Sequence, residues 1–168
     1  MRPKNFLSAL ASLCAAPLMA QGNAPAPPPG PGPMLDASVA LAQAAIAACR
    51  AKGDHVAALV VDAGNVPVAL LADDGAVTLA QTLAPRKTAL TLRYSDASGA
   101  IAERAKTDAA LAAEIKADAK IGFALPGALP LVVGGVQIGA LAVSGGSSPQ
   151  SDEACARAGL AKVSVKAR

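Results

Sequence analysis

The sequence predicts an α+β fold, an antiparallel sheet flanked by helices, and two observations carry that reading. Two pairs of Val/Leu-rich runs each close on a short Gly-containing turn, Asp62-Ala63-Gly64-Asn65 in the first and Gly134-Gly135 in the second. Strands joined so tightly run antiparallel, because a parallel pair needs a crossover of a dozen or more residues. The helical segments come in blocks and not after every strand, which excludes a doubly wound parallel sheet. The order is helix, hairpin, helices, strands, helix.

The elements follow in turn. From Leu35, apolar residues Val39, Ala42, Ile46 and Cys49 recur at helical spacing and predict a first helix. Residues 55–61 and 66–72 flank a Gly-Asn turn and read as a hairpin. Residues 76–94 are helical in pattern, with Pro85 marking a kink or a restart because proline removes an interior hydrogen bond. Residues 99–120 are Ala-rich with mixed charge and read as a solvated helix or pair of helices. "LPLVVGGVQIGALAVSGG" gives two more strands, and the last helix begins with Ser148 as N-cap and Pro149 at its first position. Asp152 and Glu153 then oppose the dipole of that helix in its first turn.

The composition suits one domain: 168 residues, 53% hydrophobic, but only 2% aromatic, so the core must be built of Ala, Val, Leu and Ile. The first 20 residues have a basic start, an apolar stretch from Phe6 to Leu18 and a small residue at Ala20, the order of a secretory signal peptide. The stretch is shorter than the roughly 20 residues that a membrane span needs. Cys14 lies inside it, but Leu13 stands where a lipoprotein signal would have a small residue. Cleavage near Ala20 would send the chain to the periplasm or outside the cell. It would also remove Arg2 and Lys4, leaving 13 basic against 12 acidic residues and no electrostatic footprint for nucleic acid. Residues 21–34 are Pro/Gly-rich and read as a poorly ordered tether, with the folded domain at 35–165.

Export leaves Cys49 and Cys155 as one pair in an oxidising compartment, either bonded to each other if the first and last helices pack together or buried as free thiols. Few residues offer chemistry. Ser144 sits one position from a nucleophile-elbow pattern, but the only histidine, His55, precedes it, and Pro149 delays the helix that the elbow requires. A phosphate could use free N–H groups at the last helix, yet no lysine sits in the loop. His55 is either a polar residue at a strand boundary or an axial or metal ligand. Asp73-Asp74 reads as a turn before a helix.

Taken together, "VVDAGN" at 60–65, "DGA" at 74–76, Ala84 and Lys87, "LPLVVGG" at 129–135 and "IGALAVSGGSSPQSDEACARAGL" at 138–160 resemble the GlcG/HbpS-like family of haem-degrading or haem-binding proteins. The resemblance implies a five-stranded antiparallel sheet, so a fifth strand is expected near 121–125, and a dimer or larger homo-oligomer. It also implies a Cys49–Cys155 disulfide, because exported relatives carry cysteines at the matching places. Its implied ligand is haem or another planar or anionic molecule, with Lys87 and Arg86 as the positive end, Asp74 nearby, and His55 or Tyr94 toward iron. Met34 and the two cysteines complete the axial donors. Where many relatives have arginine before the Asp-Gly turn this chain has Ala72, and where they often have threonine it has Leu90. No catalytic constellation is legible, so the expected function is non-catalytic binding by an exported protein. The alternatives are an enzyme or accessory factor of periplasmic organic-acid metabolism using Lys87 and Asp74, or a structural partner-binding module.

Overall fold

The computed structural model describes residues 30–168; the expected signal peptide and most of the expected tether lie outside them. The elements are α1 (Leu35–Arg50), β1 (Ala57–Asp62), β2 (Pro67–Ala72), α2 (Thr78–Tyr94), α3 (Ser98–Thr107), α4 (Ala109–Ala117), β3 (Ala128–Val133), β4 (Val136–Ser144) and α5 (Pro149–Leu160). The sheet order is β2-β1-β4-β3 and every pairing is antiparallel.

Helices cover both faces of this sheet. The α1/α5 side packs Leu41, Ala45, Val60, Leu141 and Val143 into the main core, and the α2 side packs Leu59, Val61, Ala84 and Ala142. Central β1 is therefore buried at all six positions and reads as a continuous apolar run, whereas edge strand β2 is buried only at Ala69. A third cluster, Leu90, Ile101, Ile115 and Ile121, joins α2, α3 and α4. With so few aromatics, each leucine carries much of the packing: truncating fully buried Leu141 to alanine would cost about 2–5 kcal/mol.

Among the described residues the sheet has four strands, which corrects the five implied by resemblance. Residues 121–125 form no strand because Gly122 and Gly127 adopt left-handed φ values of 76° and 132°, and Pro126 has no N–H to donate to a ladder. Ile121 instead turns into the third cluster. Pro85 neither stops nor restarts α2, which runs on through Tyr94. The expected helix at 99–120 is a pair, divided at Asp108, whose side chain caps α4 through the Leu111 N–H.

The end of the Pro/Gly-rich segment packs on the domain. Gly32 and Pro33 are buried, Pro33 bridges Ala167, and the Met34 N–H donates to the Lys166 carbonyl at 3.0 Å. Among the described residues no helix is long and apolar enough to cross a membrane.

Candidate functional site

The loop from Ser144 to Ser148 and the start of α5 concentrate polar groups, and those groups satisfy one another. Lys87 Nζ donates to Asp152 Oδ2 at 2.7 Å and to the Val143 carbonyl at 2.9 Å. The other oxygen of Asp152 accepts the Gly146 N–H at 2.8 Å. Glu153 accepts N–H groups from Gly99 and Gly127, and Asp54 accepts from the Ser147 N–H and the Ser147 and Ser151 hydroxyls. The Gly146 and Ser147 N–H groups of the loop are therefore already bonded to carboxylates of the protein itself, and the Ser151 N–H is bonded to the Ser148 hydroxyl. Ser144 is buried at the end of β4, and Ser148 caps α5 through the Ser151 N–H as its sequence position predicts.

Lys87 is consequently buried and bonded within the protein, and its ammonium is not an exposed positive end. Burial pushes its ammonium below the ordinary lysine range, while the Asp152 and Glu153 carboxylates pull the other way. Arg86 is likewise engaged: it donates to the Ile121 carbonyl at 3.1 Å and stacks over the Phe123 ring at 5.6 Å. Tyr94 packs against the third cluster with its hydroxyl oxygen buried, and burial raises its phenol above the usual range. Asp74 is exposed in the β2–α2 turn. These expected ligand residues do not converge on one pocket.

A different group does converge. His55, just before β1, Asp73, just after β2, and Arg50, at the end of α1, meet because the hairpin register brings Ala57 opposite Ala72. The Asp73 side chain is 1% exposed and ion-pairs with Arg50 Nη2, while its Oδ2 lies 3.1 Å from His55 Nδ1. The Arg50 guanidinium, against the opposing effect of burial, holds the Asp73 carboxyl down at about 2, helped by His55 and by the Asp74 N–H. With Asp73 ionised, the hydrogen bond places a proton on Nδ1, so that in the neutral imidazole Nε2 carries the lone pair. The His55 side chain is 53% exposed, so that nitrogen can meet a ligand. Carboxylates orient histidines at metal centres in this way.

The surroundings combine apolar and charged groups. Exposed Val77 and Leu79 follow at the start of α2, and Gly75, left-handed at φ 85°, keeps the turn free of a side chain beside the His55 ring. On the other side of Asp73 lies a hollow of about 420 Å³ bounded by Ile46, Arg50, Leu71 and Ala72. Arg50 lies there beside the Asp73 and Asp74 carboxylates, so its charge is already countered within the hollow. Asp73 was legible only as part of a turn, and Arg50 was not singled out at all; their meeting with His55 depends on the fold.

Two further points concern the expected donors. Cys49 and Cys155 are joined by a disulfide, Cα to Cα 5.4 Å, which removes both as thiolate ligands. Among the described residues no three His, Cys, Asp or Glu side chains gather to hold a bare metal ion, so a metal would have to bring most of its own ligands.

Comparison with solved structures finds the same fold in several proteins. A crystal structure of HbpS matches with TM-score 0.70 and 29% identity over 78% of this chain and 89% of that one. A double mutant of Streptomyces reticuli HbpS matches with TM-score 0.72 and 28% identity over 90% and 99% of the two chains. The haem complex of PduOC shares the fold, with TM-score 0.71 and 22% identity over 80% of this chain and 97% of that one. Comparison with curated protein sequences finds no significant match. The model of the family described as "Haem degrading protein HbpS-like" matches residues 34–161, most of the chain, and the protein belongs to that family.

Proposed function

We propose that this chain is an exported, non-catalytic haem-binding protein in which His55 Nε2 faces the iron. The observation that carries this reading is the half-exposed imidazole of His55, fixed at Nδ1 by the buried carboxylate of Asp73. Family membership and the likeness to HbpS and to the PduOC haem complex support it. Haem, when bound, supplies an iron that accepts a nitrogen lone pair. The rest is work for the chain's own residues. Asp73 would hold the imidazole tautomer and plane, Arg50, with Nε and Nη2 on Asp73, would have only Nη1 left for a propionate, and exposed Val77 and Leu79 would offer apolar contact to a flat ring.

Export rests on the signal-like order of residues 1–20, and assembly into a homo-oligomer rests on the resemblance. Exposed Val66, Leu70, Val132 and Val136 provide apolar surface for a second copy. Haemin titration followed by the Soret band tests the binding. A saturable shift is expected, lost in His55→Ala and kept in Tyr94→Phe, since the Tyr94 hydroxyl is buried. No saturable shift would remove the proposal, and retention in His55→Ala would remove His55 as the ligand. Steady loss of the Soret band with release of iron when a reductant is added would replace the non-catalytic reading by haem degradation. Recovery from the periplasm of a chain beginning near Gln21 tests export, and size-exclusion chromatography tests assembly.

A further inference from the structure

A second hollow lies between α3, α4 and the segment 122–126, and it shares no residue with the His55 cluster. Two helical faces build it in the same way. On α3, Ala102, Ala105 and Lys106 fall at i, i+3 and i+4, and on α4, Ala112, Ile115 and Lys116 do the same. Each helix thus turns two apolar side chains inward and places a lysine on the rim. The three alanines leave the space, Ile115 and Phe123 give it an apolar lining, and its volume is about 340 Å³. That is near the small end of the roughly 300–1,000 Å³ of ligand pockets, so a one- or two-ring molecule fits and a porphyrin does not.

The charge around the rim selects the ligand further. Glu103 is bonded through both carboxylate oxygens to Lys106 at 2.7 Å. Lys116 makes no ion pair among the described residues, which leaves a net positive charge beside an apolar hollow. We infer that this hollow binds a small aromatic or short-chain monocarboxylate, its ring or chain between the alanine faces and its carboxylate at Lys116. Such a ligand would also brace α4, whose only buried residue is Ile115.

The test uses 2-naphthoate as the probe and 2-naphthamide as its uncharged counterpart, with binding to the disulfide-bonded protein followed by calorimetry. Saturable binding of naphthoate is expected, abolished by Ala112→Leu, which fills the hollow with a good helix former. Lys116→Gln should weaken naphthoate about fivefold, the size of one solvent-facing ion pair, and leave naphthamide unchanged. Should Ala112→Leu fail to fold, Ala105→Leu fills the same space from α3 and decides the matter. No saturable binding, binding that survives these filling variants, or binding displaced by haemin or lost in His55→Ala would each overturn the assignment. The last two outcomes would refer the probe to the His55 face, so this inference and the haem reading fail separately.

Discussion

Lys87 Nζ and Asp152 Oδ2, 65 residues apart in sequence, lie 2.7 Å apart with their side chains 2% and 5% exposed, tying α2 to α5 beneath the end of β4. A buried pair is weak support for stability as a whole, but removing one partner strands the other charge in the interior. Lys87→Met is therefore expected to lower unfolding free energy by about 3–5 kcal/mol, measured by urea denaturation. The haemin titration of the folded variant should match that of the parent, because Lys87 faces α5 and not the His55 cluster. A variant of normal stability with impaired ligand binding would reverse this assignment and return Lys87 to the ligand site.

The same pair marks the boundary of what the sequence could reveal. Ser148, Pro149 and the acidic first turn of α5 were legible because capping is a local interaction, made within three or four residues. That Lys87 meets Asp152, or that Asp73 meets both Arg50 and His55, depends on how distant elements dock, and no spacing rule encodes it. The error at residues 121–125 has the opposite origin. The strand expected there came from the family resemblance and not from any pattern in the residues, while the backbone freedom of Gly122 and the missing donor of Pro126 favoured a turn.

Asp73 is expected to act as a positioning residue for His55. Asp73→Asn removes the charge that fixes Nδ1 as the protonated nitrogen and gives Arg50 no counter-charge. Loss of such an orienting partner typically costs 10–100-fold in metal affinity, and haemin affinity should fall by about that factor, with a Soret maximum moved toward that of His55→Ala. Asp73→Glu, which restores the charge, should recover part of the loss. If Asp73→Asn bound as tightly as the parent, the carboxylate would have only a structural role.

The disulfide closes a loop with a sequence separation of 106 residues, joining α1 to α5. In the chain-entropy model a loop of that size restricts the unfolded chain by about 4–5 kcal/mol. The double variant Cys49→Ser, Cys155→Ser should be less stable by that order in equilibrium denaturation. Both positions are fully buried, so the hydroxyls can only add to the cost. Equal stability of the oxidised and reduced proteins would contradict the pairing as a stabilising link.

Asp54 supplies the pH dependence that is simplest to isolate. The Ser151 hydroxyl, with the Ser147 N–H and hydroxyl, holds its carboxyl below the ordinary aspartate range, in opposition to burial. A depressed folded-state value means that the unfolded chain binds the proton more readily. The contribution is therefore complete above the unfolded value of about 3.9 and is lost as pH falls through the lower folded value. Asp54→Asn keeps the shape without the titration. Its melting temperature should fall furthest below the parent's near neutral pH, and the gap should close as pH drops below about 4. A gap that stayed constant with pH would show that Asp54 stabilises through packing alone.

Gly159 sets how closely α1 and α5 approach. It lies one helical turn from Cys155, as Ala45 lies one turn from Cys49, so the disulfide and the Gly159–Ala45 contact form two successive levels of one helix pair. A Cβ at 159 would stand 2.7 Å from Ala45 N and 2.9 Å from its Cα and Cβ, and the first two are backbone atoms that cannot rotate away. By propensity alone, Gly159→Ala would stabilise α5 by about 1 kcal/mol. Overpacking of a well-filled core costs about 1–3 kcal/mol, and here the disulfide prevents the helices from separating freely. The net effect is expected to be destabilising in chemical denaturation. Removing the Ala45 methyl as well, in Ala45→Gly with Gly159→Ala, should recover only part of the loss, because the backbone contacts remain. A more stable Gly159→Ala protein would mean that α1 and α5 can shift apart at little cost.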